Sequence, residues 1–311
     1  MRRLLLAAVL VTALMLATPA LAGAATRYPI VGFGEQRASV FSNPHWQELG
    51  LKHIRLVVGW DALRYKWQRR EVDAWMAGAE ASGAKVLVAF TRSRAYWRRK
   101  KLPSPATYER FFLKFRERYP AVTDFIPWNE ANHCSQPTCH KPQVAAAYYD
   151  TMRSACPECT VVAADVLDTS DMAQWLKAFV KASEHEPRLW GLHNYIDANR
   201  FRTTGTRTML RSVKGSIWFT ETGGLVHRKK TSPIKFPDSP AHAALATRWV
   251  LEKLATLSPR VKRIYLYHFE NQGAAATWDS GVLDPHGRPR PAFGVLERWV
   301  ARAQRARRAA S

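Results

Sequence analysis

The chain has 311 residues, with 47 lysines and arginines against 25 aspartates and glutamates, a formal charge of +22 at neutral pH. At 47% apolar and 11% aromatic residues it is too apolar for a disordered polymer, and its length suits one large domain or two modest ones. Beyond the N-terminus no stretch reaches the ~20 unbroken apolar residues that cross a bilayer, so no membrane span is expected.

Residues 1–22 read as an export signal: Arg2 and Arg3, the apolar run Leu4 to Leu16, then Ala20-Leu21-Ala22 as a small-residue cleavage site. Loss of this leader removes two arginines and leaves a charge of +20. The mature chain is expected to be secreted, extracellular or associated with the cell wall. Its field attracts anionic polymers in general.

From Ile30 onward β-branched runs alternate with amphipathic stretches. Candidate strands cover 29–34, 53–59, 84–90, 122–128, 160–166, 188–195, 216–221 and 261–268. Between them lie helical patterns such as Thr107, Phe111, Phe112, Phe115 and Tyr119, which share one face. Strand then helix, repeated eight times, predicts an α/β fold, a (β/α)8 TIM barrel forming a single domain over 26–304. A basic C-terminal tail, 305–311, follows, and the arginines Arg302, Arg305, Arg307 and Arg308 prolong the last helix before it frays. A doubly wound nucleotide-binding sheet is disfavoured because Gly32-Phe33-Gly34 is too short a glycine motif to cradle phosphate; it reads as a bend at the barrel rim.

Four cysteines stand at Cys134, Cys139, Cys156 and Cys159. An exported chain meets oxidising conditions, so the local pairs Cys134–Cys139 and Cys156–Cys159 are the preferred disulfides, although four cysteines allow three pairings. A four-thiolate zinc site is the alternative that the spacing tolerates and the compartment disfavours. No metal and no cofactor is expected.

The chemistry is sought at the C-terminal ends of the strands. Strand four runs into Trp128-Asn129-Glu130 and strand seven into Thr220-Glu221. A charge at the end of an apolar strand costs several kcal/mol unless it is partnered or used. Two carboxylates facing each other across a barrel mouth suit acetal cleavage, one protonating the leaving oxygen while the other attacks the anomeric carbon. A separation of about 5–5.5 Å goes with retention of configuration, a wider one with inversion; the shorter is expected. Arg55, inside the apolar strand His53 to Val58, would need a carboxylate partner in a barrel interior. Glu130 should carry a raised pKa, because a second negative charge beside Glu221 is disfavoured.

These paired motifs resemble those of the clan A retaining glycoside hydrolases, in particular bacterial secreted members of β-xylosidase-like and endoglucanase-like type, through nearly the whole mature chain. The resemblance implies that Glu130 is the acid/base, Asn129 the ligand of the sugar 2-hydroxyl and Glu221 the nucleophile. His193-Asn194-Tyr195 resembles the clan's His-x-Tyr ending of strand six, with Tyr195 donating to the nucleophile and His193 near the acid/base. Arg55 matches the arginine that braces the nucleophile. Trp60 and Trp128 join the expected substrate-binding residues. The chain departs from the clan at Ala131, where many members have proline, and at the strand-eight tryptophan, for which Tyr267 or Phe269 would substitute as sugar platform. Trp278 to Asp284 resembles the last loop before the final helix.

Basic residues crowd the segments after the strands: Arg64, Lys66, Arg69 and Arg70; Arg92, Arg94, Arg98, Arg99, Lys100 and Lys101; Arg200 and Arg202; Arg228, Lys229, Lys230 and Lys235. Tyr65, Trp67, Tyr96 and Trp97 are interleaved with them. Aromatic faces stack on sugars and cations select acidic groups, so the carbohydrate partner is either an anionic polysaccharide or a neutral glycan inside a solvated basic rim. A monomer is expected. A secreted glycan- or wall-binding barrel without turnover is the alternative from another class. Nucleic-acid binding would be non-specific only, since no recognition motif is present.

Overall fold

A computed structural model describes residues 28–229, 235–271, 273 and 276–309; the expected leader and Lys230 lie outside the described residues. Among them, eight parallel strands surround a common axis: β1 (Ile30–Gly34), β2 (His53–Gly59), β3 (Lys85–Thr91), β4 (Asp124–Ile126), β5 in two pieces (Thr160–Val161 and Asp165–Leu167), β6 (Leu189–His193), β7 (Ser216–Thr222) and β8 (Val261–Tyr267). Each pairs with its neighbours in chain order, and β1 pairs with β8. The first piece of β5 pairs with β4 and the second with β6. Between the pieces the backbone crosses from one neighbour to the other: Val162 N–H donates to the Phe125 carbonyl at 2.9 Å, and Ala163 N–H to that of Leu189 at 2.8 Å. The ring is completed through this one interrupted strand. No helix of the described residues is long and apolar enough to cross a membrane.

Strand side chains alternate between two environments. Leu87, Ala89, Ile126, Val162, Trp218 and Tyr265 fill the barrel interior as one apolar cluster, while the alternate residues pack outward against the helices. Helix starts follow local chemistry. Ser104 accepts from the Thr107 N–H ahead of Pro105–Arg118, and Ser239 from the His242 N–H ahead of Pro240–Trp249, each with proline in the first turn. In the helix Pro105–Arg118 the fully buried positions are Tyr108, Phe112 and Phe115; Phe111 is only partly covered.

One expectation needs correcting. Gly32 is not a bend: it lies inside β1, where a Cβ would fall 2.2 Å from the His53 carbonyl oxygen, so glycine allows two strands to approach. The arginines Arg302, Arg305, Arg307 and Arg308 do prolong the last helix, which runs Pro291–Arg308 and buries Trp299, Val300 and Ala303.

Gly191 in β6 backs onto the polar centre of the barrel, and a Cβ there would lie 2.4 Å from Asp165 Oδ1 and 2.7 Å from Thr220 Oγ1. Gly191→Ala is expected to cost about 1–3 kcal/mol by overpacking, read as a lower midpoint in thermal or urea unfolding; an unchanged midpoint would show that β6 yields freely.

Candidate active site

The site is built around Arg55, a completely buried guanidinium on β2. Its Nη1 donates to Glu221 Oε2 at 2.8 Å; its Nη2 donates to Asp165 Oδ2 at 2.8 Å and to Asn129 Oδ1. Asp165, also fully buried, accepts from Thr220 Oγ1 as well, and its Oδ2 lies 3.0 Å from His193 Nε2. The other imidazole nitrogen, Nδ1, lies 3.3 Å from Glu130 Oε1. Tyr195 Oη donates to Glu221 Oε1 at 3.1 Å. One network thus joins β2, β5, β6 and β7 with the segment after β4, and a carboxylate oxygen of Glu130 lies within 4.8 Å of one of Glu221.

Charges in this network hold one another. Burial alone would discharge His193, but the Asp165 and Glu221 carboxylates outweigh it and push the imidazole up to about 10. Burial likewise opposes a charge on Asp165, and the His193 imidazolium with Arg55 overrides it, holding the carboxyl at about 2. An imidazolium at this position can donate to a carboxylate from each nitrogen. This reverses the expectation for Glu130: burial does press its pKa up, yet the hydrogen bond and charge of His193 bring it below the usual carboxylate range. The cation on His193 outweighs the like-charge repulsion that the pair of glutamates alone would impose.

Glu130 sits in the left-handed backbone region at φ 50°, a conformation costing a non-glycine residue roughly 1–2 kcal/mol. It stands in a short turn-rich segment after β4, whose backbone is tied across the barrel by the Asn129 N–H to Phe90 and the Ala131 N–H to Asp165. A disulfide joins Cys134 to Cys139 just beyond it, and another joins Cys156 to Cys159 after the helix Pro142–Ala155.

A cleft of about 1390 Å³ opens above the network, lined by Asn129, Glu130, Tyr195, Glu221, Tyr267 and Trp278 among others. With Asn129 Oδ1 occupied by Arg55, its amide NH2 is the group left for a ligand. Three expected sugar contacts are absent. Trp60 is 3% exposed and packs edge-on against Phe111. Trp128 turns away from Asn129 into the helical layer, stacking on Tyr148 with its Nε1 donating to Gln136. Phe269 is fully buried between Phe33 and Trp46. In each case the large apolar ring is drawn into the strand–helix core.

What the sequence reading missed is Asp165, Thr220 as its partner, and Trp278 as the aromatic of the cleft, whose ring stands edge-on to Tyr195 at 4.9 Å. Asp165 carried the same signal that exposed Arg55: a charge inside an apolar strand, Val161 to Leu167. The basic rim also contracts. Among the described residues of that set, Arg94 and Arg228 line the cleft, joined by Arg37. Arg94 pairs with Glu71 at 2.6 Å, Arg37 with Glu270 at 3.1 Å, and Arg228 lies over the rings of Phe236 and Trp278.

No protein-family model matches the chain, and no curated protein sequence does. Solved structures do match in fold. A GH5_18 glycoside hydrolase from Bifidobacterium longum subsp. infantis superposes with a TM-score of 0.63 at 11% identity, over 88% of this chain and 79% of that one. A fungal β-1,4-galactanase gives 0.62 at 12%, over 87% of this chain and 99% of that one. The α-L-arabinofuranosidase from Thermotoga maritima gives 0.57 at 12%, over 85% of this chain and 63% of that one. The fold is the (β/α)8 barrel that these clan A glycoside hydrolases share.

The linked charges fix a pH window. Asp165, lowered from 3.8 to about 2, contributes stability that is present above pH 3.8 and lost as pH falls through 2. His193, raised from 6.5 to about 10, contributes stability present below pH 6.5 and lost as pH rises through 10. Nitrogen-15 NMR should find His193 still protonated on both nitrogens at pH 8 in the wild type, and titrating lower by at least one unit in Asp165→Asn if that variant folds. Asp165→Asn should also cost about 3–5 kcal/mol, since it removes one partner of a buried ion pair. A neutral His193 at pH 8 would contradict this charge assignment.

Proposed function

We propose that the chain is an exported retaining glycoside hydrolase acting on a polysaccharide or oligosaccharide, with Glu130 as acid/base and Glu221 as nucleophile. The observation that carries the reading is the pair of carboxylates within 4.8 Å at the floor of an open cleft, below the span that leaves room for a water between them. Arg55 and Tyr195 each hold one oxygen of Glu221, which aims the carboxylate and leaves a lone pair for the anomeric carbon. In the first half-reaction the Glu221 oxygen bonds that carbon, the glycosidic C–O bond breaks, and the leaving oxygen takes a proton from Glu130. In the second, water attacks the same carbon, gives its proton to Glu130 and releases Glu221. His193 Nδ1, 3.3 Å from Glu130 Oε1, favours the carboxylate that Glu130 becomes once its proton has gone to the leaving oxygen. Asn129 binds the 2-hydroxyl through its NH2, and Trp278 with Tyr267 offers the sugar a platform.

The paired arginines of the cleft favour neutral sugars next to the cleaved bond, since an acidic group there would have to displace Glu71 or Glu270. All the groups used come from one chain, so the reading requires no second copy. Export is supported by the leader-like N-terminus and by two disulfides.

A panel of aryl glycosides and polysaccharides tests the reading. Wild type should turn over at least one member with retention of anomeric configuration by NMR, Glu130→Gln should lose about 10²- to 10⁴-fold in kcat on unactivated substrates, and Glu221→Gln should form no glycosyl intermediate. Undiminished turnover in either variant, or an inverted product, would overturn the assignment.

A further inference from the structure

Tyr96 and Trp97 are 73% and 72% exposed, on the short helical turn Tyr96–Arg98 that follows β3. Two large aromatic rings in solvent, on successive residues, are not explained by folding. The turn beneath them is anchored. Asp61, fully buried, accepts from Ser93 Oγ at 2.9 Å and from Arg98 Nε at 3.1 Å, and the Ala95 N–H donates to Ser93 Oγ. A buried carboxylate thus holds a turn whose outer face is two solvated rings, so little ordering entropy is left to pay when they meet a ligand. Arg99 lies over the Tyr96 ring at 4.3 Å, and among the described residues no carboxylate pairs with Arg99, Lys100 or Lys101.

The segment that carries the rings also reaches the cleft: Arg94, two residues before Tyr96, lines it and lies over the Trp67 ring at 4.6 Å, while Tyr65 stands edge-on to Trp97 at 6.4 Å. We propose that Tyr96 and Trp97, with Arg99, Lys100 and Lys101, form a landing platform for a carboxylate-bearing polysaccharide whose chain continues from the cleft. This rests on the glycosidase reading for the occupant of the cleft, but not for its own test. Aromatic faces take the apolar faces of sugar rings, and the adjoining cations take carboxylates spaced along the chain. Acidic groups are read outside the cleft, where cations are unpaired, and neutral units are cleaved inside it, where the arginines are already partnered. A lipid surface is less suited, because the exposed apolar area is two rings on a rigid turn rather than the face of an amphipathic helix.

Binding is measured in the full chain carrying Glu221→Gln, by affinity electrophoresis with polygalacturonate, unsubstituted galactan and anionic lipid vesicles. Polygalacturonate should bind best. Adding Tyr96→Ala and Trp97→Ala should weaken it about tenfold, as truncation of aromatic anchors does. Lys100→Gln with Lys101→Gln should weaken it in dilute buffer and make little difference at about 1 M salt, where charges are screened. In the otherwise wild-type chain, Tyr96→Ala with Trp97→Ala should leave turnover of short aryl glycosides unchanged. Equal binding of galactan, no loss on removing the rings, or binding to vesicles alone overturns the platform. If the platform behaves as expected while the wild type cleaves no glycoside, the catalytic reading falls and the platform stands.

Discussion

A guanidinium with no access to solvent is tolerated only where oxygens meet it, and Arg55 meets Glu221, Asp165 and Asn129. The three come from β7, β5 and the segment after β4, so a single buried cation ties together strands that are far apart in the chain. Remove the charge from Asp165 and both Arg55 and His193 are left under-compensated inside an apolar ring. The arrangement also explains the backbone. Glu130 is kept in a left-handed conformation by ties to Phe90 and Asp165 through its two neighbours, and Gly191 exists where it does because Asp165 and Thr220 occupy the space a side chain would need.

The barrel was legible because its periodicity is local. Each strand is a short run of β-branched residues followed by an amphipathic stretch, and the expected boundaries fall within a few residues of those observed for β1 to β3 and β6 to β8. The fourth and fifth strands were less so. β4 is cut to three residues and β5 is interrupted, since both edges of that segment are satisfied by different partners rather than by one continuous ladder. The two glutamates could be named from sequence because each stands at the end of an apolar run. Asp165 could have been, by the same rule. The state of His193 could not, because it depends on how far two carboxylates stand from one ring, a distance set by barrel closure.

Large aromatic residues misled in both directions. Trp60, Trp128 and Phe269 sit beside site residues in the chain but point into the strand–helix layer, as alternation along an extended backbone dictates. Trp278, about eleven residues past the end of β8, lines the cleft from a loop tied down by the short antiparallel pairing of Trp278–Asp279 with His227–Arg228. The charge excess was also misplaced by sequence alone. Two of the three cleft arginines, Arg37 and Arg94, pair with carboxylates brought from elsewhere in the chain, which composition cannot reveal.

The excursion between β4 and β5 is closed by sulfur near both of its ends, with Cys134–Cys139 just after Glu130 and Cys156–Cys159 just before the fifth strand. Between them one helix leans on its neighbour, and Trp175 Nε1 donates to the Cys139 carbonyl. The Glu130-bearing edge of the barrel is in this way made conditional on its redox surroundings: where thiols keep the four cysteines reduced, the rest of the scaffold can assemble while this edge stays loose.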